Sequence, residues 1–154
     1  MARRMTHGSA VRAIRTALGI RQNTLAEAAG IKPSYLCRIE TGGETPAVNG
    51  TTRRLADRLG VGIDAITYPL SPGPHTDHRV THGPAVRAIR EALGIREDAL
   101  AGAAGVSPRR LRSIEDGIAR LGDGVVAQRL ADRLGVDTDA ITYPTPRSAL
   151  EETA

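Results

Sequence analysis

The chain has 154 residues, 40% of them apolar, but it contains no Phe or Trp and only three Tyr. Any core must therefore be built from Ala, Leu, Ile and Val, which favours small helical domains over a large enclosed cavity. The formal charge of +4 and the pI of about 10.0 favour a polyanionic partner.

The sequence has the features of neither a membrane protein nor a disulfide scaffold. No apolar run approaches the ~18 residues of a transmembrane helix, and no apolar segment follows the N-terminal Met-Ala-Arg-Arg-Met. Cys37 is the single cysteine, which excludes an internal disulfide and a cysteine-rich zinc site. We therefore expect a cytoplasmic protein that makes no contact with membranes.

An internal repeat divides the chain into two copies. Residues 6–69 align with residues 81–144 without a gap, and 38 of the 64 aligned positions are identical. A repeat of this length with helical periodicity indicates duplicated domains rather than a solenoid. The predicted divisions are copy 1 at 1–69, a linker rich in Pro, Gly and Ser at 70–80, copy 2 at 81–144 and a flexible tail at 145–154.

Apolar residues recur at helical spacing along each copy and predict about five helices. Val11, Ile14 and Leu18 line one face of the first helix, and the second and third helices lie within residues 18–42. A fourth helix and a short fifth helix follow before Pro69 ends the copy. The predicted fold class is all-α, with two tandem five-helix domains.

A tight turn joins the second and third predicted helices. Gly30 lies at the break, where a positive φ is accessible to glycine at little cost. Pro33 suits the first turn of the third helix, and Gly42 suits its C-terminal end. A short helix, a short turn and a second helix are the parts of a helix-turn-helix, whose second helix enters the major groove of DNA.

A known sequence pattern matches these two helices and their turn. The matching residues are Leu18-Gly19-Ile20, Gln22, Leu25-Ala26-Glu27, Gly30-Ile31, Leu36, Arg38-Ile39-Glu40 and Gly42. At these positions the chain resembles the lambda repressor/Cro-like (xenobiotic-response-element, XRE) helix-turn-helix family, over residues 11–68 and again in copy 2. The resemblance implies a sequence-specific double-stranded DNA-binding transcriptional regulator, a bacterial or phage repressor found at the nucleoid. It puts the recognition helices at about 33–41 and 108–116 in the major groove.

The resemblance also implies which side chains contact DNA. Gln22 matches the glutamine that binds a phosphate at the start of the second helix, and Ser34 and Arg38 match positions that read base edges. The set expected in copy 1 is Arg21, Gln22, Lys32, Pro33, Ser34, Tyr35, Arg38 and Thr41. The set expected in copy 2 is Arg109, Arg110, Arg112 and Ser113. The competing interpretation is an ordinary solvated helix face.

Two Arg–Glu pairs invite an interpretation as acid–base machinery. By the resemblance, Arg15 and Glu40 instead form a structural ion pair between the first and third helices, and Arg90 and Glu115 repeat it in copy 2. No nucleophile, carboxylate cluster or metal-ligand set accompanies these pairs in the sequence. We therefore expect no enzymatic activity, no catalytic residue, no cofactor and no metal.

The two copies differ in charge. Residues 1–74 hold ten Lys and Arg against five Asp and Glu, whereas residues 75–154 hold eleven against twelve. Glu97 and Asp98 begin a helix where copy 1 has Gln22, and carboxylates at this position repel phosphate. Copy 2 is therefore either a second DNA reader or a pseudo-dimer partner that has lost DNA contacts, and its three recognition-helix arginines favour the reader.

Double-stranded DNA is the expected partner, while the sequence leaves both a homodimer and an intramolecular pseudo-dimer open as assemblies. Two linked readers fit either a direct or an imperfect inverted repeat of half-sites. The alternative function is a protein-interaction module, antitoxin-like or an adaptor, that uses the helix-turn-helix fold without specific DNA readout. An exposed apolar patch and salt-insensitive binding favour that alternative, whereas DNA affinity falls steeply with salt.

Overall fold

The computed structural model describes residues 3–44, 46–70, 78–119 and 124–145, and within them the two copies repeat one order of elements. Copy 1 consists of β1 (Arg4–Thr6), α1 (Gly8–Ala17), α2 (Gln22–Ala28), α3 (Pro33–Glu40), α4 (Gly50–Leu59), a 3-10 turn (Ile63–Ile66) and β2 (Thr67–Pro69). Copy 2 consists of β3 (Arg79–Thr81), α5 (Gly83–Ala92), α6 (Glu97–Ala104), α7 (Pro108–Glu115), α8 (Gly124–Leu134), a 3-10 turn (Thr138–Ala140) and β4 (Thr142–Pro144).

The fold is mostly helical, but the described part of each copy contains four α-helices, so the prediction of five is not confirmed. The fifth predicted helix is a single 3-10 turn in both copies. The backbone N–H of His7 donates to the carbonyl of Ile66 at 2.8 Å, and that carbonyl is no longer available to a continuing helix. The chain therefore leaves the turn as a strand.

A small antiparallel sheet closes each copy by joining its two ends. β1 pairs with β2 in the register Met5↔Tyr68, and β3 pairs with β4 in the register Val80↔Tyr143. Each strand has only three residues, which is too short a run for alternation of apolar and polar residues to predict it.

The end of the predicted linker and the start of the predicted tail lie in or next to these strands. Residues 79–80 of the predicted linker belong to β3. Thr145, the first residue of the predicted tail, is buried, and its N–H donates to the carbonyl of His78 at 3.0 Å. Linker residues 71–77 and tail residues 146–154 lie outside the described residues.

The turn between α2 and α3 has the backbone that its residues favour. Gly30 takes the left-handed conformation with φ 67°, a region that side chains with a Cβ enter only with strain. Pro33 is the first residue of α3. A backbone N–H at this position would have no acceptor within the helix, so proline costs no helical hydrogen bond there. Gly105, with φ 72°, and Pro108 repeat both features in copy 2. The same local rules therefore build the two-helix motif twice.

Each copy has an aliphatic core that fixes the orientation of the motif. Copy 1 fully buries Ile14, Leu25, Leu36, Leu55 and Ile66, and copy 2 buries the aligned residues Ile89, Leu100, Leu111, Leu130 and Ile141. Burial of each such side chain contributes ~1.5–3 kcal/mol. The apolar stripes of α3 and α7 point into these cores, so their opposite faces are left at the surface.

The two copies pack against each other around an approximate two-fold axis. α1 contacts α5 and the 3-10 turn of copy 2, and α5 contacts the 3-10 turn of copy 1. Nε2 of His7 donates to the carbonyl of Asp139, and Nε2 of His82 donates to the carbonyl of Asp64, both at 2.8 Å. These reciprocal contacts are of the kind found between identical subunits, here within one chain.

Candidate nucleic-acid interface

The outer face of α3 carries exposed polar side chains. Ser34 and Arg38 are exposed one turn apart, and Lys32 is exposed immediately before the helix. Arg38 Nη2 lies 3.1 Å from Glu44 Oε1, and the guanidinium lies 5.8 Å from the centre of the Tyr35 ring. The Arg38 side chain is nevertheless 62% exposed, so these contacts orient it without covering it.

Gln22 joins the start of α2 to the end of α3. Its Nε2 donates to Glu40 Oε2 at 2.8 Å, and Arg15 donates to the two carboxylate oxygens at 2.7 and 3.0 Å. The Glu40 side chain is only 1% exposed, and a buried carboxylate must be paired in this way to be tolerated. The amide N–H of Gln22, expected at a phosphate, therefore points inward in the free protein.

The remaining side chains expected at DNA in copy 1 lie at the ends of the motif helices. Arg21 is the exposed N-cap residue of α2, and Pro33 is exposed at the start of α3. Thr41 is the exposed C-cap residue of α3, and its hydroxyl donates to the Cys37 carbonyl at 2.8 Å. The expected residues of copy 1 thus all lie in α2 or α3 or next to one of these helices.

The outer face of α7 carries three arginines in different environments. Arg109 and Arg110 are exposed, whereas Arg112 Nη2 donates to Glu97 Oε1 at 2.9 Å. Ser113 is half-buried, and its hydroxyl donates to the Arg109 carbonyl at 3.2 Å. Among the described residues, Arg112 is the one of these three arginines that pairs with a carboxylate.

A second ion-pair network closes the end of α7. Arg90 donates to both oxygens of Glu115 at 2.7 and 3.0 Å. Arg87 adds bonds to Glu115 at 3.3 Å and to Asp116 at 2.6 Å. The bond to Asp116 raises the pKa of Arg87, and the bond to Glu115 raises the pKa of Arg90. Asp116 stands where copy 1 has Thr41, so this end of α7 is more acidic than the end of α3.

The ion pair between Glu97 and Arg112 was not predicted from the sequence, although comparison of the two copies contains an indication of it. Copy 1 has the uncharged residues Gln22 and Cys37 at the two aligned positions. Both are replaced in copy 2, by residues of opposite charge. Such a paired replacement between copies indicates that the two positions are in contact.

Comparison with known families agrees with this geometry. A family model described as a helix-turn-helix domain matches residues 8–66, and one described as helix-turn-helix matches residues 86–141. The chain belongs to the lambda repressor-like helix-turn-helix family. In this XRE-type pair of domains, α2 with α3 and α6 with α7 form the two helix-turn-helix motifs. No curated protein and no solved structure matches the chain.

Helix-turn-helix domains of this family are characteristic of DNA-binding regulators and are typically non-enzymatic. The described ranges contain no group of three or more His, Cys, Asp or Glu arranged to hold a metal ion. Across the same ranges, every helix is too short or too polar to cross a bilayer.

Proposed function

We propose that this helix-turn-helix protein is a sequence-specific double-stranded DNA-binding transcriptional regulator that acts as a repressor at the nucleoid. The observation that carries the proposal is the exposed face of α3, where Arg38 is held by Tyr35 and Glu44 but left accessible. An arginine so placed can donate to O6 and N7 of guanine, the commonest specific contact in the major groove. Ser34, one turn earlier, is placed to contact the next base pairs.

Cations around the motif of copy 1 supply the contacts that do not depend on sequence. Arg21 precedes α2 and Lys32 precedes α3, and both are exposed. Each phosphate that a Lys or Arg neutralises releases counterions and strengthens binding to any duplex. In the proposed complex these two residues fix the register of α3, and Arg38 and Ser34 select the sequence.

Copy 2 contributes a second, different reader through α7. Arg109 and Arg110 are exposed near the start of this helix, at the positions of Ser34 and Tyr35. An approximate two-fold axis relates the two copies. When α3 and α7 bind the same duplex, we expect this axis to coincide with a two-fold axis of the DNA. The proposed operator is therefore an inverted repeat, and it is imperfect because α3 and α7 differ.

One observation favours the alternative of a protein-interaction module. Ile118 is 79% exposed and Val125 is 60% exposed, where copy 1 has Gly43 and Gly50. Both apolar side chains flank the connection between α7 and α8. This alternative agrees best with the charges of the two copies if the basic copy 1 contacts DNA and copy 2 contacts protein.

Selection of sites from random duplex DNA by the purified full chain tests the proposal. We expect enrichment of a defined sequence, with an affinity that falls steeply between ~50 and ~200 mM salt. No enrichment even at low salt would overturn the DNA-binding function and favour the protein-interaction module. Repression is tested separately, by transcription from a promoter that contains the enriched site.

A further inference from the structure

Glu97 and Arg112 form an ion pair across the recognition face of copy 2. Arg112 Nη2 lies 2.9 Å from Glu97 Oε1 and 3.3 Å from Oε2, and Arg112 Nε lies 3.4 Å from Oε2. Glu97 is the first residue of α6, and Arg112 lies in α7. The Arg112 side chain is 65% exposed and the Glu97 side chain 26%, so the pair lies at the surface of the motif.

The aligned residue of copy 1, Gln22, has a different partner, and this difference explains the orientation of Glu97. The amide of Gln22 donates to the buried Glu40 at 2.8 Å. A carboxylate in that orientation would face Glu115, the equivalent of Glu40, and the two negative charges would repel each other. Glu97 turns to Arg112 instead.

We propose that Glu97 sets the share of the DNA affinity that copy 2 contributes. Its carboxylate neutralises Arg112 and repels phosphates that approach the start of α6, so copy 2 adds less electrostatic affinity than three free arginines would. Copy 1 is then the anchor, and copy 2 selects mainly through Arg109 and Arg110. This inference rests on the proposed function. It identifies Glu97 as the residue that sets how the DNA affinity is divided between the two half-sites.

Asp98 provides a matched control because it has the same charge and the adjacent position. Its Oδ2 lies 3.1 Å from Arg96 Nη2, and its Oδ1 accepts from the N–H of Ala99 at 2.9 Å. The Asp98 and Arg96 side chains are both largely exposed. Asp98→Asn therefore removes one negative charge from the start of α6, together with the exposed partner of Arg96, and leaves the ion pair of Arg112 intact.

The test measures the affinity of the full chain for a random-sequence duplex that spans two half-sites, as a function of salt. Glu97→Gln should raise the affinity ~10-fold and steepen the salt slope by about one, as expected for one more cation at a phosphate. Asp98→Asn should raise the affinity less than ~3-fold, through the general change in charge.

The decisive comparison is Arg112→Ala in two backgrounds. In the wild type, Arg112→Ala leaves the Glu97 carboxylate unpaired and should weaken binding ~3-fold, through the loss of one positive charge, whereas in Glu97→Gln it should remove most of the ~10-fold gain. The effect of Asp98→Asn should be the same with and without Arg112.

Three outcomes decide the inference. If Glu97→Gln has the affinity and salt slope of Asp98→Asn, or if Arg112→Ala weakens both backgrounds equally, Glu97 does not control Arg112 and only this inference fails. If no variant binds DNA at low salt, the proposed function fails with it. Thermal unfolding of each variant verifies the fold, which these surface changes should leave intact.

Discussion

Nδ1 of His7 lies 2.8 Å from Nδ1 of His82, and this contact joins the two copies at their approximate two-fold axis. Both imidazoles are buried, and each donates from Nε2 to a backbone carbonyl of the other copy. Tyr68 and Tyr143 stack beside them with ring centres 5.4 Å apart. Equivalent positions of the repeat thus meet across the interface, as they do in a symmetric homodimer.

The three hydrogen-bonding contacts of this His pair need three N–H groups, but two neutral imidazoles supply two. At neutral pH both rings are uncharged, because burial lowers the pKa of His7 to about 4 and that of His82 to about 3. One added proton would supply the missing N–H, but burying its charge costs more than this hydrogen bond contributes, and a second proton would turn two N–H groups toward each other. The pair therefore titrates as a unit that takes up its first proton more readily than its second.

Acid should weaken the packing of the two copies. The pKa of His is 6.5 in the unfolded chain and lower in the folded one, so the unfolded chain binds more protons as the pH falls below 6.5. For one proton, the free energy of unfolding should fall by ~1.4 kcal/mol per pH unit, or about 3 kcal/mol by pH ~4. Asp139 favours protonation of His7, while Arg79 opposes it and Arg4 opposes that of His82. Urea unfolding at a series of pH values measures the loss.

The control for this prediction is the exposed His78. His78→Gln should leave the pH dependence unchanged, whereas the double variant His7→Gln with His82→Gln should flatten it between pH ~6.5 and ~4. Equal pH dependence in the wild type and the double variant would show that the buried pair does not govern acid stability.

The buried carboxylate of Glu40 should contribute far more to stability than the half-buried carboxylate of Glu44. Glu40→Ala removes the acceptor of both Arg15 and Gln22 and should cost about 3 kcal/mol or more of unfolding free energy. Glu44→Ala removes the half-buried partner of the exposed Arg38 and should cost about 1 kcal/mol or less. Urea unfolding of the two variants gives the comparison, and similar losses would contradict the role of Glu40 in joining α1, α2 and α3.

Alanine at two glycines should change stability in opposite directions. A Cβ at Gly8 would overlap the backbone carbonyl oxygen of Ile39, so Gly8→Ala should force α1 and α3 apart and cost about 3 kcal/mol. Gly102 lies inside α6 with open space at its Cβ position, so Gly102→Ala should stabilise by about 1 kcal/mol. Thermal unfolding measures both changes. A neutral Gly8→Ala variant would mean that the two helices do not pack this closely.

The helix-turn-helix could be predicted from the sequence because its determinants are local. Gly30 at a positive φ and Pro33 at the first position of α3 are properties of a few neighbouring residues, and the structure confirms both. The prediction of a fifth helix is not confirmed: a 3-10 turn lies there, and the hydrogen bond from His7 to Ile66 at its end joins residues too far apart in sequence for a local pattern to predict.

The packing of the two copies lies beyond what periodicity can predict. The contact of His7 with Asp139 spans most of the chain, and the repeat shows only that each copy has the same residue at this position. The expected DNA-contacting residues were predicted by resemblance, and they remain predictions. The structure adds that some of them already have partners within the protein, above all Gln22, which donates to Glu40, and Arg112, which donates to Glu97.

Alanine at Arg38 and at Arg109 should relax the readout of different half-sites. Loss of a bidentate contact to guanine costs ~1–3 kcal/mol of discrimination at one base pair, and the rest of the site is unaffected. Arg21→Ala should instead weaken binding to all sequences alike and reduce the salt slope by about one. Site selection from random DNA by each variant measures the effect. Relaxation of the same half-site by Arg38→Ala and Arg109→Ala would contradict the assignment of one helix to each half.

The most direct measurement is a footprint of the full chain on the duplex that it selects, at a known ratio of protein to DNA. Because an approximate two-fold axis relates α3 to α7, one chain per duplex should protect two half-sites arranged as an imperfect inverted repeat. A direct repeat, a single protected half-site or a requirement for two chains per duplex would contradict the proposed arrangement.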